Sequence, residues 1–413
     1  MIRDITTLRD LAKRTLEAAN HPIMDQRRAL WADFHSMRSR RVPIYILDAH
    51  FAWKEFGQPP LQCENELYRL CEKWMLFNLH HATYGDDYIL EPWHTVYFPA
   101  FKNTNPHWEN YGFEIECHFV EQTYGRHYSN PPIKTAADLA CVDTSMGEVD
   151  LAKTEEKVDM LREAFGGLLE VHADLYPPKV ANLSNTLGRL VGPENLLYLL
   201  VDEPDMMHRL CRMISDASMA IMTEAEKKGY FTTRSHTVYG THIQAPQYSH
   251  ELPNPGPLRS IPLCEHWIYD SAQEFECVSP AMWNEFCWQY QKPIYARFGL
   301  VAHGCCENLT HKIKYLKELP NLRRVAVTPW ADTEACAAQL TDQYCISWRP
   351  QPSEMVSSGF DETFIKAKIK EAKEIFDRYN CFWEINLKDI ITVQNDPGRL
   401  ARWVRVVREA LEE

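Results

Sequence analysis

Hydrophobic and polar residues alternate most regularly in the last ~120 residues of the chain. The runs GLVAHGC, LRRVAVTPW, QYCISWRP and CFWEINL predict strands, whereas ENLTHKIKYLKEL, DETFIKAKIKEAKEIFDRY and PGRLARWVRVVREALEE predict helices. Strands that alternate with helices are typical of a parallel sheet covered by helices. The pattern therefore predicts an α/β fold, with the sheet either open or closed into a (β/α)8 TIM barrel, and with functional groups just beyond the carboxyl ends of the strands.

The pattern is less regular before residue 150. TLRDLAKRTLEAAN, DQRRALWADFHSMRSR and CENELYRLCEKWMLFNLHHA have helical spacing, which predicts an N-terminal helical extension over about residues 1–80, with VPIYIL as a short strand inside it. Residues 85–150 are rich in Pro, Asn and aromatic residues, which indicates short strands and long loops that cover the barrel mouth. With no internal repeat, residues 1–413 are predicted to form a single domain.

Charge and composition exclude several classes of partner. The formal net charge of −13 opposes binding to nucleic acid or to an anionic membrane surface, since both require a basic surface. No apolar run approaches the ~18 residues of a membrane span, and the N-terminus lacks a secretory signal, so a cytoplasmic location is expected. The thirteen cysteines include no CxxC pair, which favours free thiols over disulfides. Neither GxGxxG nor GxxxxGK[ST] occurs, which argues against dinucleotide and nucleoside triphosphate binding.

A histidine, two cysteines and a glutamate crowd together at residues 303–307, directly after a predicted strand. Because side chains alternate along a strand, the H-x-C spacing predicts that His303 and Cys305 point the same way, as two ligands of Zn²⁺. Cys381, at the start of the last predicted strand, is the best candidate for a third ligand. Cys345 and Cys336 are weaker alternatives.

Two other interpretations of this cluster remain open. Cys305 or Cys306 could be a nucleophilic thiolate activated by His303 or by the N-terminus of the following helix. Alternatively, the cysteines only pack beneath the barrel rim and His303 caps a backbone group. Glu307 is either a fourth ligand, a general base or a carboxylate at a helix N-terminus.

The residues of this region resemble a known family. VAHGCCENLTHKIKYLKELPNLRRVAVTPWAD, continued by CISWRPQPS and NCFWEINLKDIITVQNDPGRLARWV, resembles the C-terminal half of the uroporphyrinogen decarboxylase-like (β/α)8 superfamily, in its corrinoid-dependent methyltransferase branch. FECVSPAMWNEFCWQYQKPIYARFG and GRLVGPENLLYLLVDEPDMMHRL resemble earlier helices of that superfamily, so the similarity covers about residues 155–410. The arginine-rich N-terminal motif of the decarboxylase is absent, and Cys306 and Glu307 depart from the simpler pattern of the thiol-methylating members.

The resemblance implies a closed TIM barrel, and Zn²⁺ bound by His303, Cys305 and Cys381. It also implies a methyltransferase similar to the first component of anaerobic aryl methyl ether O-demethylases. Such an enzyme moves a methyl group from a small methylated aromatic substrate to the Co(I) corrinoid (cobalamin) of a separate carrier protein. Alternatives are methyl transfer from methylcobalamin to a thiol, or decarboxylation of another acid. Beside Glu307 as a catalytic candidate, the residues expected to contact substrate from loops near the barrel mouth are Tyr239, His242, His266 and Asp270.

Overall fold

The computed structural model describes residues 2–47, 49–56, 59–96, 99–102, 107–120, 125–175, 182–232, 243–256, 260–357 and 359–413. The N-terminal helices α1, α2 and α3 span Ile2–Ala19, Pro22–His35 and Glu66–His81, and strand β1 spans Ile44–Ile46. Although β1 lies inside the predicted helical extension, it pairs with the last strand of the chain and is therefore part of the main sheet.

The middle of the chain contains short strands and longer helices. The strands are β2 (Trp93–Val96), β3 (Phe101–Lys102), β4 (Glu116–Val120), β5 (Gly125–Ser129), β6 (Glu148–Val149) and β7 (Glu170–Ala173). The helices are α4 (Leu151–Phe165), α5 (Leu183–Val191), α6 (Pro193–Asp202) and α7 (Pro204–Lys227). Strands β2 and β7 form a parallel pair, whereas β3–β6 and β4–β5 are antiparallel pairs.

The last third alternates strand and helix, as the sequence pattern predicts. Its elements are β8 (Trp267–Asp270), α8 (Pro280–Trp283), α9 (Gln289–Tyr295), β9 (Leu300–His303), α10 (Ile313–Leu316), β10 (Leu322–Val327), α11 (Thr333–Leu340), β11 (Cys345–Trp348), α12 (Glu362–Arg378), β12 (Phe382–Leu387) and α13 (Arg399–Glu412). The prediction of strands β9 to β12 is confirmed. The helix predicted over residues 307–319 is wrong in extent, because α10 is a single turn.

Six parallel strands form the main sheet, in the order β1-β12-β11-β10-β9-β8. The α/β class and the parallel sheet are thus confirmed, and closure into a ring of eight strands remains a prediction. None of the described helices combines the length and the apolar character needed to cross a membrane.

The two faces of the main sheet have different partners. Alternate side chains, such as Val301, Val325 and Ile385, pack among residues of the flanking helices, and we call this the helix-covered face. The other set, including Trp267 and Ala302, belongs to a second buried cluster, and we call this the inner face. Position along a strand therefore decides in which of the two buried clusters a side chain packs, and the cluster on the inner face includes residues of α2.

Gly304 ends this alternation after β9. Its φ of +106° is a backbone conformation that side chains with a Cβ rarely adopt, and a Cβ there would lie 2.6 Å from Leu309 Cδ1 and 2.9 Å from Ala326 Cβ. The turn after β9 therefore requires glycine on grounds of both conformation and space.

We expect Gly304→Ala to lower the free energy of unfolding by about 2–4 kcal/mol, because it adds overpacking to backbone strain. Gly167→Ala is the matched control, since Gly167 also has a positive φ (+81°) but no atom within 4 Å of the added Cβ. Denaturant unfolding should show a clearly smaller loss for the control, and equal losses would mean that the contacts at Gly304 are unimportant.

Candidate functional site

Cys305 lies on the inner face, just beyond the carboxyl end of β9. Its side chain is buried in the same cluster as Tyr269 and Ala302, and its sulfur is 3.6 Å from that of the partly exposed Cys306. The positive φ of Gly304 produces this placement, because the chain changes direction between His303 and Cys305. Two adjacent thiols therefore stand at the edge of the sheet where parallel α/β folds place their functional groups.

Lys388 follows the last residue of β12 and reaches the same sulfur. Its ammonium donates to Cys305 Sγ at 3.0 Å and to Cys306 Sγ at 3.5 Å, and it lies 3.2 Å from Asp389 Oδ2. The residue is only 6% exposed, although lysine is rarely buried without a charged partner. The sulfur of Cys305 is thus the principal partner of a buried cation.

Arg349, which directly follows β11, fixes the backbone of the turn that follows β9. Its guanidinium donates to the carbonyl oxygens of Cys305 and Gly304 and, at 2.6 Å, to Gln244 Oε1. The side-chain amide nitrogen of Gln244, Nε2, donates to Cys305 Sγ at 3.5 Å. Cys305 is therefore surrounded by donors contributed by three separate segments of the chain.

These neighbours favour a thiolate at Cys305. The hydrogen bond from Cys306, with the charges of Lys388 and Arg349, outweighs burial and lowers the pKa of Cys305 well below its usual value. The hydrogen bond to Cys305 and burial raise the pKa of Cys306. Burial opposes the charge of Lys388, but Cys305 raises its pKa above the usual value. Both directions favour a thiolate at Cys305 paired with an ammonium at Lys388.

A second polar layer lies beneath this pair on the inner face. Arg324 contacts Glu384 Oε1 and donates to Ser347 Oγ at 2.8 Å, and Ser347 Oγ donates to Glu384 Oε1 at 2.9 Å. Asn386 donates to the carbonyl oxygen of Gln244 at 2.7 Å. Glu384 and Asn386 are alternate residues of β12, and Lys388 continues the alternation directly after the strand, so one segment supports the site from below and also supplies its ammonium.

His303 does not share the surroundings of Cys305, and the prediction that the two side chains point the same way is wrong. The imidazole lies on the helix-covered face among the rings of Trp283, Trp288 and Tyr295. Among the described residues neither ring nitrogen has a hydrogen-bond partner. Burial lowers the pKa of His303 to about 4 despite the nearby Glu307, so the ring is neutral at pH 7.

This burial predicts a pH dependence of stability. Below its usual pKa of 6.5, His303 in the unfolded chain binds a proton that the folded protein does not bind until about pH 4, so acidification across this window destabilises the fold. The full effect corresponds to about 3 kcal/mol. We expect His303→Phe to reduce the loss of stability between pH 6.5 and 4, as measured by urea unfolding at several pH values. Parallel curves for the two proteins would contradict this.

Glu307 connects the loops that follow β8 and β9. Its Oε1 accepts from the backbone N–H of Ala272 at 2.7 Å and its Oε2 accepts from that of Cys305 at 2.8 Å. Burial opposes its charge, but His303 and these two N–H groups lower the pKa of Glu307. Because His303 is neutral at pH 7, the backbone donors hold the carboxylate there. Both oxygens are thus engaged, which fits a clamp on the Cys305 backbone better than a general base or a metal ligand.

Cys381 lies at the wrong end of the sheet to join His303 and Cys305. It precedes the first residue of β12, and β12 runs parallel to the other strands of the sheet, so Cys381 is at the amino end. Its thiol points to Ala337 O in α11, at 3.8 Å, and burial raises its pKa to about 12. The prediction that these strand ends converge is therefore wrong.

The three predicted zinc ligands consequently do not fit a shared ion. His303 faces the helices, Cys305 is paired with Lys388, and Cys381 lies at the opposite edge of the sheet. Among the described residues no three His, Cys, Asp or Glu side chains are grouped so that they could hold a metal ion. Where a third ligand would be needed beside Cys305, the chain supplies the ammonium of Lys388, which cannot bind a metal while it is protonated.

The expected substrate contacts are only partly within the described ranges. Tyr239 and His242 lie outside the described residues. His266 precedes β8 at the amino end of the sheet, so its expected position near the mouth is wrong. Asp270 does end β8 at the carboxyl end, but on the helix-covered side, where Gln291 and the backbone N–H of Asn182 donate to it. Burial raises the pKa of Asp270 well above its usual value.

Lys388 and Gln244 were not predicted from the sequence as functional residues. The signal for Lys388 lies in the spacing of EINLK, since Glu384, Asn386 and Lys388 alternate with apolar residues and must share one face of a strand. Gln244 follows an undescribed segment and carries no comparable signal. Arg349 is recognisable only as a polar residue at a strand end.

Comparisons with known proteins support the fold. Neither a protein-family model nor a curated protein matches this chain. A solved structure, a methyltransferase from Methanosarcina mazei, is similar with a TM-score of 0.52 and 11% sequence identity, over 93% of this chain and 98% of that one. The chain is thus similar in fold, over nearly its whole length, to a protein named as a methyltransferase.

Proposed function

We propose that this protein is a methyltransferase, and that it moves a methyl group from a small methylated substrate to the Co(I) corrinoid of a separate carrier protein. An aryl methyl ether is the first substrate class to test. The likeness in fold to a protein named as a methyltransferase supports the general reaction. The observation that carries the proposal for this chain is the buried ammonium of Lys388, 3.0 Å from Cys305 Sγ at the carboxyl edge of the sheet.

A methyl ether is difficult to cleave because its oxygen leaves as an anion. The acceptor takes the methyl carbon, and the electron pair of the C–O bond stays on the oxygen. Lys388 is suited to stabilise this oxygen, because it is a buried charged donor and Cys305 favours its protonated form. The zinc ion expected from the resemblance is not required for this role.

Cys305 and Arg349 position the ammonium in this proposal. The thiolate keeps Lys388 protonated, and Arg349 holds the backbone of the turn that presents the thiolate. The ring of Tyr269 is buried on the same face as Cys305 and makes this part of the proposed site apolar and aromatic. Cys305 is thus a positioning residue, whereas Lys388 is the residue expected to contact substrate.

The test is an anaerobic assay of Co(I) cobalamin consumption by the purified protein. Aryl methyl ethers, methylamines and methyl thioethers are offered separately as methyl donors, and loss of the Co(I) absorbance is followed together with release of the demethylated product. We expect consumption with an ether and stoichiometric phenol. The same preparation treated with a zinc chelator should retain its activity, since the predicted zinc ligands do not converge.

Other outcomes point to the alternative functions. Methylation of an added thiol by methylcobalamin, with no reaction of any ether, would support transfer in the opposite direction. Release of CO2 from an added carboxylic acid without cobalamin would support a decarboxylase, and either result would overturn the proposal.

A further inference from the structure

We infer that Cys305 and Cys306 form a site of covalent modification by peroxides, at which the two residues close reversibly to a vicinal disulfide. The inference rests on the arrangement of the two sulfurs and their neighbours, and it is independent of which methyl donor the protein uses. Peroxides are the chemical class concerned because a thiolate attacks their weak O–O bond.

The first supporting observation is the distance between the two sulfurs. They are 3.6 Å apart, so an approach of about 1.5 Å brings them to the length of a disulfide bond. Redox-sensitive cysteines are typically reactive thiolates beside a second cysteine that resolves the oxidised form. In the described part of the chain, no other cysteine sulfur has a hydrogen-bond contact with the sulfur of a second cysteine.

The second observation is the asymmetry of the pair. Lys388 and the Gln244 amide both point to Cys305, at 3.0 and 3.5 Å, which suits Cys305 to be the attacking sulfur. Cys306 is the more exposed of the two and lies 3.7 Å from Asp389, at the side of the site that faces solvent. A small oxidant can thus approach from that side, and the resolving thiol is already beside the attacking one.

The chemistry balances with one peroxide per pair. Cys305 sulfur attacks one oxygen of hydrogen peroxide, the O–O bond breaks, and the departing hydroxide takes a solvent proton, which leaves Cys305 as a sulfenic acid. Cys306 sulfur then attacks the Cys305 sulfur, the S–O bond breaks, and the oxygen leaves as water with the Cys306 proton. Two thiols lose two electrons in total, and the peroxide is reduced to two waters.

The disulfide should be strained and easily reduced. Adjacent Cα atoms are about 3.8 Å apart, which is shorter than the usual span of a disulfide. A thiol reductant should therefore restore both cysteines. The oxidised form also removes the thiolate that holds Lys388, so oxidation should change the charge balance at the site.

The test is hydrogen peroxide treatment of the full-length protein, followed by digestion and mass spectrometry without reduction. We expect the peptide that contains both cysteines to lose two hydrogen atoms, and to do so at least tenfold faster than the exposed Cys264 and Cys277 are oxidised. Dithiothreitol should reverse the change. Failure of this peptide to lose two hydrogens, or oxidation of the exposed cysteines first, would overturn the inference.

Two variants separate the roles of the sulfurs. Cys306→Ser should leave Cys305 as a sulfenic acid that a sulfenic-acid probe labels, whereas Cys345→Ser, the matched control in β11, should form the disulfide as the wild type does. Equal probe labelling of the wild type and Cys306→Ser would show that Cys306 does not resolve the oxidised sulfur. The wild-type measurement remains decisive even where a variant folds poorly.

Discussion

Glu384→Leu is expected to lower the free energy of unfolding by about 3–5 kcal/mol, because it leaves Arg324 as an unpaired charge in the interior. Both residues are almost completely buried, and the carboxylate is the anion that contacts the guanidinium. The remaining partners, Ser347 and the carbonyl oxygen of Ile243, are neutral and cannot replace that charge. Urea unfolding monitored by tryptophan fluorescence measures the change.

The double variant Glu384→Leu/Arg324→Met is the control for this prediction. It removes both charges together, so it should recover a large part of the lost stability. Ser347→Ala removes a neutral residue that hydrogen-bonds to both charged groups and leaves the ion pair in place, so it should cost less, about 1.5–3 kcal/mol. A double variant as unstable as Glu384→Leu alone would show that packing, and not the unpaired charge, causes the loss.

Lys388→Met is expected to lower kcat for methyl transfer by about 10²–10³, which is the usual effect of removing one donor from an oxyanion. The methionine nearly matches the length of the lysine stem, so substrate binding and KM should change less than kcat. Lys388→Arg should restore part of the rate because it retains the charge. Lys292→Met, which removes a surface lysine paired with Glu318, is the control and should be as active as the wild type.

The same substitution should also change the chemistry of Cys305. Without the ammonium the pKa of Cys305 rises, so alkylation by iodoacetamide at pH 6 should slow by tenfold or more, with the modified residue identified by mass spectrometry. Unchanged alkylation in Lys388→Met would mean that Lys388 does not hold the thiolate, even if the rate of methyl transfer falls.

The strands of the main sheet were predictable because their side chains alternate between two buried faces. LRRVAVTPW and CFWEINL contain β10 and β12, although β10 already ends at Val327 and β12 begins one residue later than predicted, at Phe382. The length predicted for the helix after His303 is too great, because a prediction from apolar spacing does not include local hydrogen bonds. Glu307 and Asn308 bond to backbone groups of this turn and its neighbours, which competes with helix formation until Ile313.

The errors at the site have two physical causes. The H-x-C spacing assumes regular alternation, but Gly304 has a positive φ and turns Cys305 to the opposite face from His303. Cys381 stands at the start of a strand, and in a parallel sheet the starts and the ends of the strands lie at two opposite edges, so Cys381 cannot meet the residues that follow β9. The direction of the strands also explains the position of Lys388. It follows the carboxyl end of β12 and therefore lies at the same edge of the sheet as the residues that follow β9.

In the proposed reaction a methyl group leaves its oxygen beside Lys388 and is passed to cobalt. Its most direct test is the fate of a ¹³C-labelled methyl group in an aryl methyl ether, incubated anaerobically with the protein and Co(I) cobalamin. We predict labelled methylcobalamin and free phenol in equal amounts with the wild type, and at least a hundredfold less of both with Lys388→Met. Label that stays in every ether tested, or equal transfer by the wild type and Lys388→Met, would contradict methyl transfer at Lys388.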